Sequence, residues 1–308
     1  MAHYTQLTRD EIRAVAASYG YEASSFSALS GGVENTSYRV EVTKGQILIT
    51  ILEKRDLGSA MRYAEFLAGL AELDIPVPDI YRNSDGAYVS TVRGKPVVAM
   101  EFLAGTCYDE LPDIHLRGAG QVLALVHQKK QVDAAPPPVV RITGTELHRA
   151  SAFTDQDFVR WLVESHAKTR HVVEEGTGGR GLTHGDLFAD NMIVGTEGNI
   201  RIIDWENGAI DVLSVDLGMT ILGLCGSGPK FIPQRARLFL EGYTSVQELP
   251  VPMDELRDSV YYAAIFTAFN RYERHEILTP DSGRQGYYRE IPTFVETMIN
   301  EWAAVQPF

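Results

Sequence analysis

The sequence predicts an α+β fold in two parts, a β-rich N-terminal lobe over residues 1–104 and a larger, mostly helical C-terminal lobe over residues 105–308. Three observations carry that expectation. Strand-like alternation crowds into the first hundred residues, helical periodicity takes over after Gly105, and one short hairpin interrupts the helical part within residues 182–204. A chain of 308 residues also sits at the upper end of what one core supports, about 250–300 residues.

The elements follow in order. Thr8 with Glu11 three places later is a capping-box pattern, and Ile12, Val15 and Ala16 continue it as a helix over 8–19. Tyr38–Val42 alternates as a strand, Thr43-Lys44-Gly45 turns the chain, and Gln46–Leu52 is an apolar β-rich run. Met61, Ala64, Phe66, Leu67 and Leu70 give a helix over 58–73, stopped before Pro76 and Pro78. Tyr81–Val92 reads as a strand with a turn at Asn83–Gly86, and Pro96–Phe102 as another. Beyond Gly105, helices are expected at 114–130, 154–174, 213–224, 233–242, 253–277 and 287–303, with Ala134–Pro138 an extended linker. Met192–Val194 and Ile200–Ile203, joined by Gly195–Asn199, form the hairpin.

Composition narrows the function. With 28 Lys+Arg against 41 Asp+Glu, the net charge of −13 disfavours nucleic acid or an anionic membrane surface as partner. No apolar run approaches the ~20 residues of a membrane span, and the first residues lack the basic and apolar regions of a signal peptide. Cys107 and Cys225 match no disulfide framework or zinc spacing, so a cytoplasmic location is expected.

The chemistry concentrates in His184-Gly185-Asp186-Leu187-Phe188-Ala189-Asp190-Asn191 and in Asp204-Trp205-Glu206 after the hairpin. Phosphoryl transfer needs a carboxylate beside the attacking hydroxyl and oxygen ligands for the magnesium that screens a triphosphate. Asp186 and Asn191, five apart in one loop, can face one cavity, and the hairpin returns Asp204 opposite them. This order matches kinase catalytic and metal loops. In it, Asp186 orients the hydroxyl and takes its proton, Asn191 and Asp204 hold Mg²⁺, and His184 pins the loop. Either half alone would serve equally as a polar loop with Asx turns.

These residues resemble the aminoglycoside phosphotransferase and choline kinase superfamily, whose fold is similar to that of protein kinases. Leu29–Thr36 is similar to that family's phosphate-covering turn, Met100–Gly105 to its hinge, Leu123–His127 to the helix after the hinge, and Asp216-Leu217-Gly218 to a buried Asp after the metal loop. The resemblance is greatest to the bacterial type II homoserine kinases: Asp186–Asn191 matches their catalytic loop, Glu53-Lys54-Arg55 a strand end, and Gly242–Val246 a Gly-Tyr-x-Ser-Val segment. Asp204-Trp205-Glu206 is closer to the generic phosphotransferases.

The resemblance implies an ATP- and Mg²⁺-dependent kinase acting on a small hydroxyl- and amine-bearing molecule, with homoserine or a related amino alcohol first and an aminoglycoside, choline-like amine or sugar as alternatives. Gly31, Gly32, Asn35 and Thr36 would approach the phosphates, and the backbone of Glu101 and Leu103 the adenine edge. Thr50 stands where such kinases carry a lysine, leaving Glu65 on the next helix without its usual partner and keeping a nucleotide-binding pseudokinase in view. Arg271 is a candidate for an acceptor carboxylate, and Asp190 and Glu206, with Asp211, for an amine. Asp211 and Asp216 are equally candidates for capping the next helix and bracing the catalytic loop.

Overall fold

A computed structural model describes residues 5–29, 35–280 and 283–305. The chain divides into two compact units: Met1–Gly105 with Val132–Pro136 and Arg201–Ile203, and Thr106–Gln131 with Pro137–Ile200 and Asp204–Phe308. A single division after residue 104 did not anticipate the two later segments that belong with the first unit.

In the first unit, α1 (Arg9–Ser18) starts at the expected capping box, with the Thr8 amide donating to Glu11 at 2.8 Å and the Glu11 amide to Thr8 Oγ1 at 3.3 Å. Strands β1 (Ala23–Ala28), β2 (Thr36–Val42) and β3 (Gly45–Ile51) lead to α2 (Leu57–Glu72), then β4 (Val89–Val92) and β5 (Lys95–Glu101). They make one antiparallel sheet in the order β1-β2-β3-β5-β4. Alternation along β3 sorts its side chains: Ile47, Ile49 and Ile51 join Ile12, Val15 and Ala16 of α1 in one core. Thr50 pairs in register with Val98, which packs with Ala60 and Ala64 of α2. Thr50 therefore faces α2.

Two strand expectations change. The expected turn at Asn83–Gly86 forms, with Asn83 Oδ1 accepting from the amides of Asp85 and Ala87 at 3.1 and 3.0 Å. Within the expected 81–92 strand, however, regular strand structure is confined to Val89–Val92, and Tyr81 meets β5 through a single bond to the Ala99 carbonyl. Strand β1, with the sequence Ala-Ser-Ser-Phe-Ser-Ala, is largely exposed and carries no apolar alternation to announce it.

The second unit contains α3 (Asp113–His127), α4 (Gly144–Ala150), α5 (Gln156–Thr169), α6 (His171–Glu174), β6 (Arg180–Thr183), β7 (Met192–Val194) and β8 (Ile200–Ile202), the last ending in residues of the first unit. It continues with β9 (Ala209–Val212), α7 (Leu213–Leu224), β10 (Gly226–Ser227), β11 (Lys230–Phe231), α8 (Pro233–Thr244), α9 (Met253–Tyr272) and α10 (Glu290–Glu301). The expected hairpin is β7–β8, while the antiparallel pair β6–β9 was not foreseen. The expected helix 253–277 is α-helical only to Tyr272 and continues as a π-helical segment, Glu273–Leu278. Likewise 154–174 divides into α5 and α6.

Glycine sets the closest crossings. A Cβ at Gly120 on α3 would stand 2.0 Å from the Phe239 carbonyl oxygen, and one at Gly242 on α8 equally close to that of Arg117, so these helices pack backbone to backbone. That approach brings His127 of α3 to Tyr243 of α8.

Candidate functional site

Strand β6 aims the chain at the site, with Thr183 opposite Ala209 of β9. Gly185 follows with φ +79°, and a Cβ there would lie 2.8 Å from the Asn207 carbonyl oxygen, so both conformation and space demand glycine immediately before Asp186.

A buried carboxylate holds this turn from beneath. Asp216 on α7 is 2% exposed and accepts from the amides of His184 (2.8 Å) and Gly185 (2.6 Å) and from His127 Nε2 (3.0 Å). A carboxylate only accepts, so His127 carries its proton on Nε2 and presents Nδ1 to the Tyr243 hydroxyl 2.8 Å away. Burial alone would raise the Asp216 pKa, but the His127 bond and the loop amides outweigh it and hold the carboxyl below its usual value. Asp216 thus braces the His184–Asn191 loop, one of the two structural roles expected of it. Asp211 does not cap α7, whose N-cap residue is Val212 without a side-chain bond; it accepts from Arg141 Nη1 at 2.7 Å.

On top of this base, His184 Nδ1 accepts the Asp186 amide at 3.3 Å, and the His184 ring packs against Trp205 at 4.7 Å. The 3-10 turn Ala189–Asn191 folds Asn191 back so that Nδ2 donates to the Asp186 carbonyl at 2.7 Å. Asp204 has φ 60° and ψ 66°, a left-handed conformation that costs a non-glycine residue about 1–2 kcal/mol. The charge of Asp204 reaches Asp186. Burial first, then Asp190 and Asp204, push the Asp186 carboxyl up to about 7, against a downward pull from Arg274. Asp186 and Asn191 are therefore joined by a bond and Asp204 by its field.

The remaining expected residues fall into three sets. Asp190 is exposed beside the loop, with its carbonyl accepting from Cys107 Sγ at 3.2 Å, and Glu206 is half-buried in the 3-10 turn Trp205–Asn207. Arg271 lies within electrostatic reach of Asp186, stacks 4.0 Å from the Tyr287 ring centroid and sits 3.8 Å from Glu290. In the first unit, the Thr50 hydroxyl meets Ser37 Oγ at 3.0 Å, Glu65 is exposed on α2, and Thr36 Oγ1 donates to Glu53 at 2.6 Å. The Glu101 amide is taken by the Asp79 carbonyl at 2.8 Å and its carboxylate by Arg201 at 2.6 Å, while Leu103 is half-buried just beyond β5. Asn35 stands just before β2, and Gly31 and Gly32 lie outside the described residues.

Sequence reasoning missed His127, Tyr243 and Arg274 as neighbours of the loop. His127 and Asp216 are 89 positions apart, and no local spacing announces such a pair.

A magnesium site at Asn191 and Asp204 is chemically consistent. Both offer hard oxygen donors, and the Asn191 amide is oriented by its bond to Asp186. Among the described residues no group of three or more His, Cys, Asp or Glu is placed to hold a metal alone, so phosphate oxygens would have to complete the coordination. No helix among the described residues is long and apolar enough to cross a membrane.

The fold, a five-stranded antiparallel sheet in the first unit and a mostly helical second unit, is kinase-like. The fold matches an aminopropanol kinase associated with a microcompartment (TM-score 0.68, 19% identity, 95% of this chain and 97% of that one). It also matches an amicoumacin kinase solved with AMP-PNP, Ca²⁺ and Ami (TM-score 0.71, 14% identity, 98% and 95%). Residues 25–249 match the phosphotransferase enzyme family, and the chain belongs to that family as a small-molecule phosphotransferase. A homoserine kinase of Rhodopseudomonas palustris (strain BisA53) is 27% identical over 258 residues, 79% of this chain and 77% of that protein.

Proposed function

We propose that this enzyme transfers the γ-phosphoryl group of Mg·ATP to the side-chain hydroxyl of homoserine or a closely related amino alcohol. The observation that carries the reading is that Asn191 bonds to the Asp186 carbonyl on a loop braced by Asp216, with Asp204, after the hairpin, within electrostatic reach of Asp186. The homoserine kinase relatives support the choice of acceptor.

In this reading the acceptor hydroxyl lies against Asp186. Its oxygen forms the new bond to phosphorus, the bond to the ADP oxygen breaks, and the hydroxyl proton passes to Asp186. Asn191 and Asp204 would hold Mg²⁺, which would supply positive charge against the phosphate oxygens. The transition state is loose, so alignment contributes more than base strength. His184 fixes the direction of the Asp186 peptide, its Nδ1 accepting the Asp186 amide.

A second reading rests on Thr50. Its hydroxyl, bonded to Ser37, cannot supply the ammonium that usually grips the α- and β-phosphates, which favours a nucleotide-binding pseudokinase. One experiment separates the two. ADP release is measured with L-homoserine, 3-aminopropan-1-ol, choline, spectinomycin and a hexose as acceptors. Turnover with L-homoserine or the amino alcohol is expected. Nucleotide binding without turnover on any of them supports the pseudokinase.

A further inference from the structure

Burial alternates along the His184–Asn191 loop. Leu187 and Ala189 are buried, at 0% and 3% exposure, while Asp186 and Phe188 are half-buried and Asp190 is exposed. Phe188 thus shares the accessible side of the loop with Asp186. Its backbone roots it there: the Phe188 amide donates to the Asp186 carbonyl at 2.9 Å, and the Phe188 carbonyl accepts from the Asn191 amide at 3.1 Å. The ring is seated on α7. A Cβ at Gly223 would stand 2.6 Å from Phe188 Cγ and 2.7 Å from Cε1, closer than carbon atoms pack, so the ring lies directly on bare helix backbone. Gly223 is a poor helix former inside a helix and has no positive φ to call for glycine, so the room it leaves for the ring is what requires it. Every other residue of α7 is buried, and the ring therefore lies at the one place where that helix is accessible.

We propose that Phe188, seated on Gly223, is the apolar wall of the acceptor site: the short saturated carbon chain of the acceptor lies along the ring while its hydroxyl meets Asp186. The inference rests on the phosphotransfer reading above and adds a specificity-determining residue to it. Asp186 and Asp190, the neighbours of Phe188 on the accessible side of the loop, are acidic and offer a methylene group nothing. Phe188 supplies the missing apolar surface, and each methylene taken out of water against it is worth about fourfold in affinity. An aromatic side chain has only two torsions, so one fixed by its backbone and by a helix presents that surface at little entropic cost. Gly223 acts at one remove, as a positioning residue: a side chain there would displace the ring and the wall with it.

The test is a double-mutant cycle read in acceptor kinetics, with L-homoserine and 3-aminopropan-1-ol as acceptors. Phe188→Ala should raise the acceptor KM about 10-fold, the worth of two methylenes, with the KM for ATP held. Phe188→Leu, which keeps an apolar side chain, should recover part of that loss. Gly223→Ala should raise the same KM when the ring is present, and should change it by less than about twofold when added to Phe188→Ala, where no ring remains to be displaced. An unchanged acceptor KM in Phe188→Ala would overturn the wall. So would a fall in kcat alone, which would make the ring a prop of the loop, or a raised KM for ATP, which would assign it to the nucleotide. An equal effect of Gly223→Ala in both backgrounds would overturn the seat and leave Gly223 a packing residue of α7. Mg·ATP binding with no turnover of either acceptor by the wild type would instead sink the phosphotransfer reading itself, and the wall with it.

Discussion

Two carboxylates, one in each unit, have been moved in opposite directions. Glu53, after β3, accepts from the Thr5 amide and hydroxyl, from Thr36 Oγ1 and from Lys95 Nζ. Burial pushes its pKa up, but Lys95, Thr36 and Thr5 outweigh that and bring it down to about 2. Asp186 is pushed to about 7 by burial and by Asp190 and Asp204. A satisfied carboxylate ties a sheet together; one held among other acids is costly to keep, and such costs concentrate where chemistry is done.

The sharpest break of that contrast is Asp186→Ala. It should lower phosphoryl transfer by about 10³-fold or more, since both orientation and proton acceptance are lost, while calorimetry still registers Mg·nucleotide binding. Turnover near the wild-type rate would remove Asp186 from the reaction.

Next in size is the brace. Asp216→Ala leaves the buried His127 and two loop amides without their acceptor and should cost about 3–5 kcal/mol in denaturant unfolding, with a fall in kcat. A variant with wild-type stability would show that the loop is held by other means.

Glu53→Gln should cost less, about 1–2 kcal/mol near pH 7. The sign follows from a depressed pKa: the stabilisation is present above the unfolded value near 4.5 and is lost as pH falls toward 2. Urea midpoints of the two proteins should converge at low pH, and a constant gap would deny that ionisation matters.

The smallest effect runs the other way. Because the folded pKa of Asp186 is raised, the folded protein holds a proton between about pH 4 and 7 that the unfolded chain has released, and stability declines across that range as pH rises. Without ligand, Asp186→Asn should therefore be more stable than wild type at pH 8 by about 1 kcal/mol, after allowance for its partial exposure. That advantage should vanish near pH 4. A thermal melt showing no gain at pH 8 would place the carboxylate in a less crowded setting.

Much of the site was legible because its parts are close in sequence. Asp186 and Asn191 share one loop, the hairpin β7–β8 has a turn rich in glycine, and Asp204 follows directly after it. The capping box at Thr8 and Glu11 and the run Leu213–Leu224 were equally local, and their elements formed as expected. The π-helical segment after Tyr272 was not legible, since its residues keep helical character and differ only in how the turn closes. Strand β1 was obscure for the opposite reason: four of its six side chains are exposed, so no core demanded a pattern.

By itself the sequence determined which candidate residues stand near one another and in what order, because backbone reach and side-chain type are local properties. Only the folded chain decided what surrounds them. The line from Tyr243 through His127 to Asp216, and the pull of Arg274 on Asp186, join residues far apart in sequence, and charge and hydrogen bonding act through space with no record of chain position.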